Sequence, residues 1–212
     1  MKKFLAVTLL LFVLAQDSFS QDSGTEIMGE GRNRSIAISF FLTDFITPER
    51  IRSGSFSGVV RDKQWAKLRE MTPGITVSYI EGLKDYIDFA GSLSASFLNF
   101  PFPNKPRTSE QFLLLEADAS AHLKMFPDRY FFTPYLNIGV GASKYQEYFG
   151  AFIPAGAGFR FNFFNEAALY ISSQYRIPIT NETQNYHFMN SIGFAGVIGK
   201  KRPQAPKPTP SL

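Results

Sequence analysis

Seven ionisable residues fall where alternating strands would gather them on common faces: Asp88, Glu116, Asp118, His122, Lys124, Arg160 and Arg176. Glu116, Asp118, His122 and Lys124 are the informative subset, because residues two apart on a strand project from the same side. A carboxylate and an imidazole on one face could act as acid and base, or could begin a metal site. The same residues could form a structural charge network filling a narrow, dry interior, where each buried ion needs a partner. The structural reading is preferred, and in it Glu116 and Asp118 are the expected partners of Arg160 and Arg176. A metal site needs several convergent ligands, and the only other histidine, His187, is placed at the external end of the last strand as an interfacial or loop-stem residue. No P-loop, dinucleotide fingerprint, HExxH or Gly-x-Ser-x-Gly motif occurs, and no cofactor is expected.

The elements that must position these residues are strands. The segment Phe152 to Ile179 shows this most clearly. Ile153, Ala155, Ala157, Phe159, Phe161 and Phe163 share one face and Gly156, Gly158, Arg160 and Asn162 the other; after a turn at Phe164-Asn165-Glu166, Leu169, Ile171, Tyr175, Ile177 and Ile179 oppose Tyr170, Ser172, Gln174 and Arg176. Period two with a short connection predicts an antiparallel hairpin. Its polar face is Gly, Ser, Asn and Gln with two arginines, a composition that packs rather than solvates.

The rest of the chain repeats the pattern. Further strands are predicted at about 35–43, 75–80, 87–97, 111–126, 130–144 and 186–198, which with the hairpin makes eight. The connections are expected to alternate: long after strands one, three, five and seven, and tight after strands two, four and six, at Gly82 to Asp85, Pro127-Asp128-Arg129 and the hairpin turn. Within the first long connection, Arg61 to Glu70 can form one or two helical turns carrying Trp65 and Leu68, either as a recognition element or as a loop packing on itself. The glycines within strands are expected to admit bulky neighbours or allow curvature. Aromatic residues gather near strand ends as two girdles: Phe126, Tyr130, Phe131, Phe132, Phe163 and Phe164 on the turn side, and Phe97, Phe100, Tyr145, Tyr148, Phe149 and Phe152 on the loop side.

Composition narrows the setting. The sequence is 212 residues long, 44% hydrophobic and 16% aromatic, yet no internal run approaches the ~20 apolar residues of a spanning helix. A membrane crossing would therefore use strands. Lys2 and Lys3, the apolar run Phe4 to Ala15 and the small and polar residues up to Gln21 have the three regions of a secretory signal peptide. Cleavage is expected after Ser20, with Ala15 the runner-up. There is no cysteine, which leaves no disulfide framework, thiolate metal site or lipoprotein anchor. Lys200, Lys201, Arg202 and Lys207 are too few and too interrupted by proline to suggest nucleic acid. Asn181-Glu182-Thr183 matches a glycosylation pattern, a motif too short to carry meaning alone.

The expected organisation is a signal peptide (1–20), a flexible periplasmic lead (21–34), an all-β, eight-stranded, antiparallel up-and-down transmembrane barrel (35–199) and a Pro-rich periplasmic tail (200–212). The small-residue strands NIGVGASKY and IPAGAGFRFNFF, and the closing HFMNSIGFAGVIGK before the tail, resemble the N-terminal transmembrane domain of the OmpA family and its small OmpX-like relatives. In longer members of that family a Pro-rich linker leads to a peptidoglycan-binding domain, whereas this tail ends at Leu212. The resemblance implies a non-enzymatic outer-membrane protein with both termini periplasmic. Its partners would be outer-membrane lipid and lipopolysaccharide, the barrel-assembly machinery during insertion, and an unidentified surface or periplasmic protein. The alternative is a soluble secreted or periplasmic lipocalin-like barrel for a small apolar ligand, which needs the apolar rows to face inward. An outer-membrane enzyme using Asp118 and His122 is a third reading.

Overall fold

The computed structural model describes residues 34–103, 110–128, 130–163, 167–180 and 182–198. The expected signal peptide, nearly all of the lead, the tail, the turn at 164–166, Arg129 and Asn181 lie outside the described residues. Eight strands follow in order: β1 Arg34–Asp44, β2 Thr72–Lys84, β3 Ile87–Leu98, β4 Phe112–Lys124, β5 Phe132–Tyr145, β6 Tyr148–Phe163, β7 Ala167–Pro178 and β8 His187–Ile198. Each pairs antiparallel with its successor, and β8 pairs with β1 to close the barrel. Closure leaves no unpaired sheet edge, the condition for exposing a sheet's outer surface to hydrocarbon.

The alternation fixes which face is which. Ile38 is 62% exposed, Ile138 56% and Phe194 66%, while Ala37, Asn137 and Ala195, one residue away, are buried. Register joins Leu169, Phe194, Ile38, Val77, Leu93 and Ala117 into one belt crossing β7, β8, β1, β2, β3 and β4. The apolar rows thus point outward, opposite to what a lipocalin-like carrier needs. Charge on the outer wall sits at its rims: Arg34 donates to Glu81 at 3.0 Å below the belt, and the Lys144 ammonium lies 5.4 Å from the exposed Phe149 ring above it.

Three bulky side chains fit inside because a glycine stands opposite each in register. Phe41 pairs with Gly74, Phe152 with Gly141 and Tyr135 with Gly158. A Cβ at Gly74 would lie 2.2 Å from the Phe41 ring, one at Gly141 2.4 Å from Phe152, and one at Gly158 2.5 Å from Tyr135. The ring covers the bare backbone, and the missing side chain makes room for the ring.

Four details differ from the sequence reading. The β2–β3 turn is Asp85-Tyr86, because β2 continues through Gly82 to Lys84 with a register shift there. The connection after the fifth strand is not a long loop but the two residues Gln146-Glu147, with Tyr145 paired to Tyr148. The strands extend, and Gln146 takes φ 55°, the positive value that primed hairpin turns require at their first central position. The first long connection is a folded unit, with helices α1 Ile46–Ser53 and α2 Phe56–Arg61 and a short 3-10 helix Leu68–Glu70, so only one helical turn falls in the segment 61–70 where it was expected and most of the helix precedes it. Finally, Phe100, Tyr145 and Phe152 are buried rather than in a lipid-facing girdle. The exposed Phe97 and Phe149 on the loop side, and Phe126, Tyr130, Phe131 and Phe132 on the turn side, remain outward.

Overpacking a fitted core costs about 1–3 kcal/mol. Gly141→Val is therefore expected to lower the urea midpoint of the refolded barrel. Gly196→Ala, where nothing lies within 4 Å of an added Cβ, should leave the midpoint unchanged.

Candidate functional site

The seven ionisable residues all line the barrel interior; six of them divide into two clusters, and His122 lies between these. At the loop end, Arg176 on β7 spans the lumen to β4, where it donates to Glu116 and lies 3.5 Å from Asp118. Arg176 is 1% exposed and its guanidinium sits 4.7 Å from the centre of the Phe152 ring. His187 joins this group from β8, with Nε2 3.5 Å from the second Glu116 oxygen and Nδ1 3.0 Å from the Asn185 carbonyl. That carbonyl can only accept, so Nδ1 carries a proton. His187 is thus at a loop stem, as its position in the sequence implies, but wholly buried rather than interfacial.

At the turn end, Asp88 and Asp128 alternate with Lys124 and Arg160. Lys124 Nζ lies 2.6 Å from Asp88 and 2.8 Å from Asp128, while Arg160 Nη1 lies 3.1 Å and 3.0 Å from the same two carboxylates. Two acids and two bases balance. Asp128 belongs to the β4–β5 turn, which Asn162 holds against the barrel by donating to the Asp128 and Tyr130 carbonyls. Glu116 and Asp118, expected to pair with both arginines, meet only Arg176; Arg160 finds its acids on β3 and in this turn.

Between the clusters the wall is lined by hydroxyls paired across neighbouring strands: Thr76 with Ser94 at 2.8 Å, Ser78 with Ser92 at 2.9 Å and Ser172 with Ser191 at 2.7 Å. They border a cavity of about 50 Å³ that Asp118, His122, Tyr135 and Tyr170 also line. A polar space of that size holds on the order of a few waters. His122 stacks on Tyr135, ring centres 4.8 Å apart, and lies 3.4 Å from the Ser120 hydroxyl; no hydrogen bond joins it to Asp118 among the described residues. Nor do three His, Asp or Glu side chains gather as metal ligands among the described residues.

Above the Arg176 cluster lies an aromatic closure. Leu98, Phe100, Leu114 and Tyr145 are buried together, with Phe45, Phe102 and Phe112 packed on them. The Tyr145 hydroxyl accepts from the Phe100 N–H at 3.2 Å and donates to the Leu98 carbonyl at 2.9 Å, so the ring also fastens the start of the β3–β4 connection. Phe45 lies over His187 with ring centres 4.8 Å apart.

The β1–β2 connection is built on Asp44, whose carboxylate accepts from the Ile46 and Thr47 N–H groups at 2.8 and 2.9 Å. Thr47 then accepts from Ala66 at 2.9 Å, folding the far half of the connection back over buried Val59. Trp65 and Leu68 stand outside this small core, 45% and 74% exposed. Glu70 accepts the Lys67 backbone N–H, which holds its carboxyl below the usual range.

At the level of sequence, no family model and no curated protein matches the chain. Solved structures do. The outer-membrane protein OprG of Pseudomonas aeruginosa superposes with a TM-score of 0.51 at 10% identity, covering 82% of this chain and 100% of that one. Neisserial surface protein A follows at 0.48 and 15% identity over 80% and 98%. Ail of Yersinia pestis, solved with the heparin analogue sucrose octasulfate, gives 0.46 at 13% identity over 78% and 97%. The fold is that of the small outer-membrane barrels of the OmpA and OmpX type. At such identities the likeness concerns the wall and its strand order, while the interior chemistry is this chain's own.

In this small outer-membrane barrel fold, removing one member of a buried ion pair strands the other. Arg176→Ala is expected to destabilise the barrel by about 3–5 kcal/mol, because both Glu116 and Asp118 lose their cation. Arg160→Ala should cost less, since Lys124 still contacts both Asp88 and Asp128 and the Asp128 side chain is partly exposed to solvent. Urea titration of the refolded variants measures the order.

Proposed function

We propose that the protein is a structural outer-membrane barrel of a Gram-negative cell, contributing to envelope integrity or displaying its surface connections to a partner. The observation that carries this reading is the outward apolar belt around an interior whose charges are paired within the wall. A solute path is not part of the proposal, because eight strands leave a lumen that side chains fill. Nor is catalysis, since Asp118 and His122 each have structural partners. The role of Asp88, Glu116, Asp118, His122, Lys124, Arg160 and Arg176 is to hold opposite walls together and neutralise one another.

In this reading residues 1–20 direct export and are removed, 21–34 lead into the barrel, and 200–212 form a Pro-rich periplasmic tail. Both termini are periplasmic, with the β1–β2, β3–β4, β5–β6 and β7–β8 connections outside. The folded β1–β2 connection supports this orientation, because outer-membrane barrels carry their elaborate connections on the cell surface. The partners are membrane lipid and lipopolysaccharide, the assembly machinery, and a protein met by the loops or tail.

Two measurements test the proposal. The protein should fractionate with the outer membrane, and unboiled samples should migrate differently from boiled ones on cold SDS gels after refolding into detergent or liposomes. A monomer soluble without detergent would overturn it. N-terminal sequencing of the exported protein should begin at Gln21; an uncleaved Met1 would remove the signal-peptide assignment.

A further inference from the structure

The folded β1–β2 connection presents apolar side chains to the outside although it has a core of its own. Val59, Ala66 and Thr47 are buried in it, while Phe56 is 62% exposed, Val60 45%, Trp65 45% and Leu68 74%. The rings of Phe56 and Trp65 meet edge to face at 6.4 Å, so α2 and the irregular segment after it contribute to one surface. Ala66 is buried, while Trp65, Lys67, Leu68, Arg69 and Glu70 around it are exposed.

The charge on this surface is net positive, Arg61, Lys63, Lys67 and Arg69 outnumbering Asp62 and Glu70. Asp62 pairs with Arg61 at 2.9 Å, and Glu70 accepts the Lys67 backbone N–H at 2.8 Å and keeps its charge in the field of Lys67 and Arg69. Lys63, Lys67 and Arg69 are all exposed, and none forms an ion pair with a described residue. Aromatic and aliphatic side chains interleaved with an excess of cations match an anionic membrane interface, where rings enter the acyl boundary and ammonium groups meet phosphate.

Position favours a lipid over a soluble partner. The connection leaves and re-enters the barrel at Asp44 and Thr72, just beyond Phe40 and Ile75, the paired exposed apolar residues that end the belt on these two strands. Arg69 is six residues from Ile75, a path of at most ~20 Å at ~3.4 Å per residue. We infer that Phe56, Trp65 and Leu68 with Lys63, Lys67 and Arg69 form an interfacial anchor that docks on phosphate-bearing lipid headgroups of the membrane around the barrel. The inference rests on the outer-membrane reading and assigns a lipid contact to particular residues within it.

Trp65 is the only tryptophan, so its fluorescence reports this surface alone. The full barrel would be refolded into zwitterionic phosphatidylcholine vesicles and into vesicles containing phosphatidylglycerol. Docking predicts a blue-shifted Trp65 emission in the anionic vesicles, quenching by lipids brominated near the headgroup, protection from iodide, and reversal by high salt. Lys63→Glu, Lys67→Glu and Arg69→Glu should each weaken the docked population roughly fivefold or more, with heat-modifiable migration unchanged. Emission that is insensitive to lipid charge and open to iodide in a heat-modifiable barrel would overturn the anchor and leave the barrel reading intact. A response to a sulfated oligosaccharide in detergent without a response to anionic vesicles would overturn it in favour of a soluble polyanion. Failure of the wild-type chain to insert into either vesicle would overturn both readings.

Discussion

In the proposed membrane setting every backbone N–H and C=O of this sheet must find its partner within the sheet, because hydrocarbon offers none. The closed β1-to-β8 ladder meets that requirement, and its consequences run inward. Eight strands enclose a space only as wide as side chains can fill. Any ion placed there must be neutralised by another ion; Arg176 on β7 with Glu116 and Asp118 on β4, and Arg160 on β6 with Asp88 on β3, do this across the lumen, and Lys124 does it between neighbouring strands. A buried pair of this kind is weak evidence for net stability, since desolvation offsets much of its attraction. Its stronger consequence is specificity: an interior slipped by one residue would put these charges in lipid.

The same width limit explains the interior's grading along the axis. Short hydroxyl side chains pair across neighbouring strands near the middle, leaving a cavity of about 50 Å³. Toward the loops the filling becomes aromatic, with glycines opposite the rings to accommodate them. Charge balance differs between the ends. The turn-end group has two carboxylates and two cations, whereas Arg176 faces two carboxylates with His187 beside one of them.

Strand identity and facing were legible in the sequence because period two is a local signal. The hairpin of β6 and β7 displays it almost without interruption, and the inward placement of Arg160 and Arg176 follows from counting along each strand. Pairing across the lumen is not local. Nothing in the spacing of Glu116, Asp118 and Arg160 shows that Arg160 turns instead to Asp88 and Asp128, which depends on stagger between strands three apart. Asp128 was hidden in a turn tripeptide whose Pro-Asp pair already had a local explanation, and His187 was hidden at a strand end. Phe100, Tyr145 and Phe152 looked like girdle residues because aromatic identity near a strand end does not distinguish lipid from lumen. For Phe152, parity with Arg160 and Asn162 on β6 was the available signal.

The central claim is that alternate residues face lipid and a packed polar interior. Because the sequence contains no cysteine, single cysteines from Leu136 to Ala142 on β5 give a clean background for spin labels in refolded vesicles. The account predicts oxygen accessibility with period two, high at 136, 138, 140 and 142 and low at 137, 139 and 141, with little access for a water-soluble nickel reagent at either set. Accessibility without that period, or a nickel reagent reaching 136, 138 and 140 as in a soluble sheet, would contradict it.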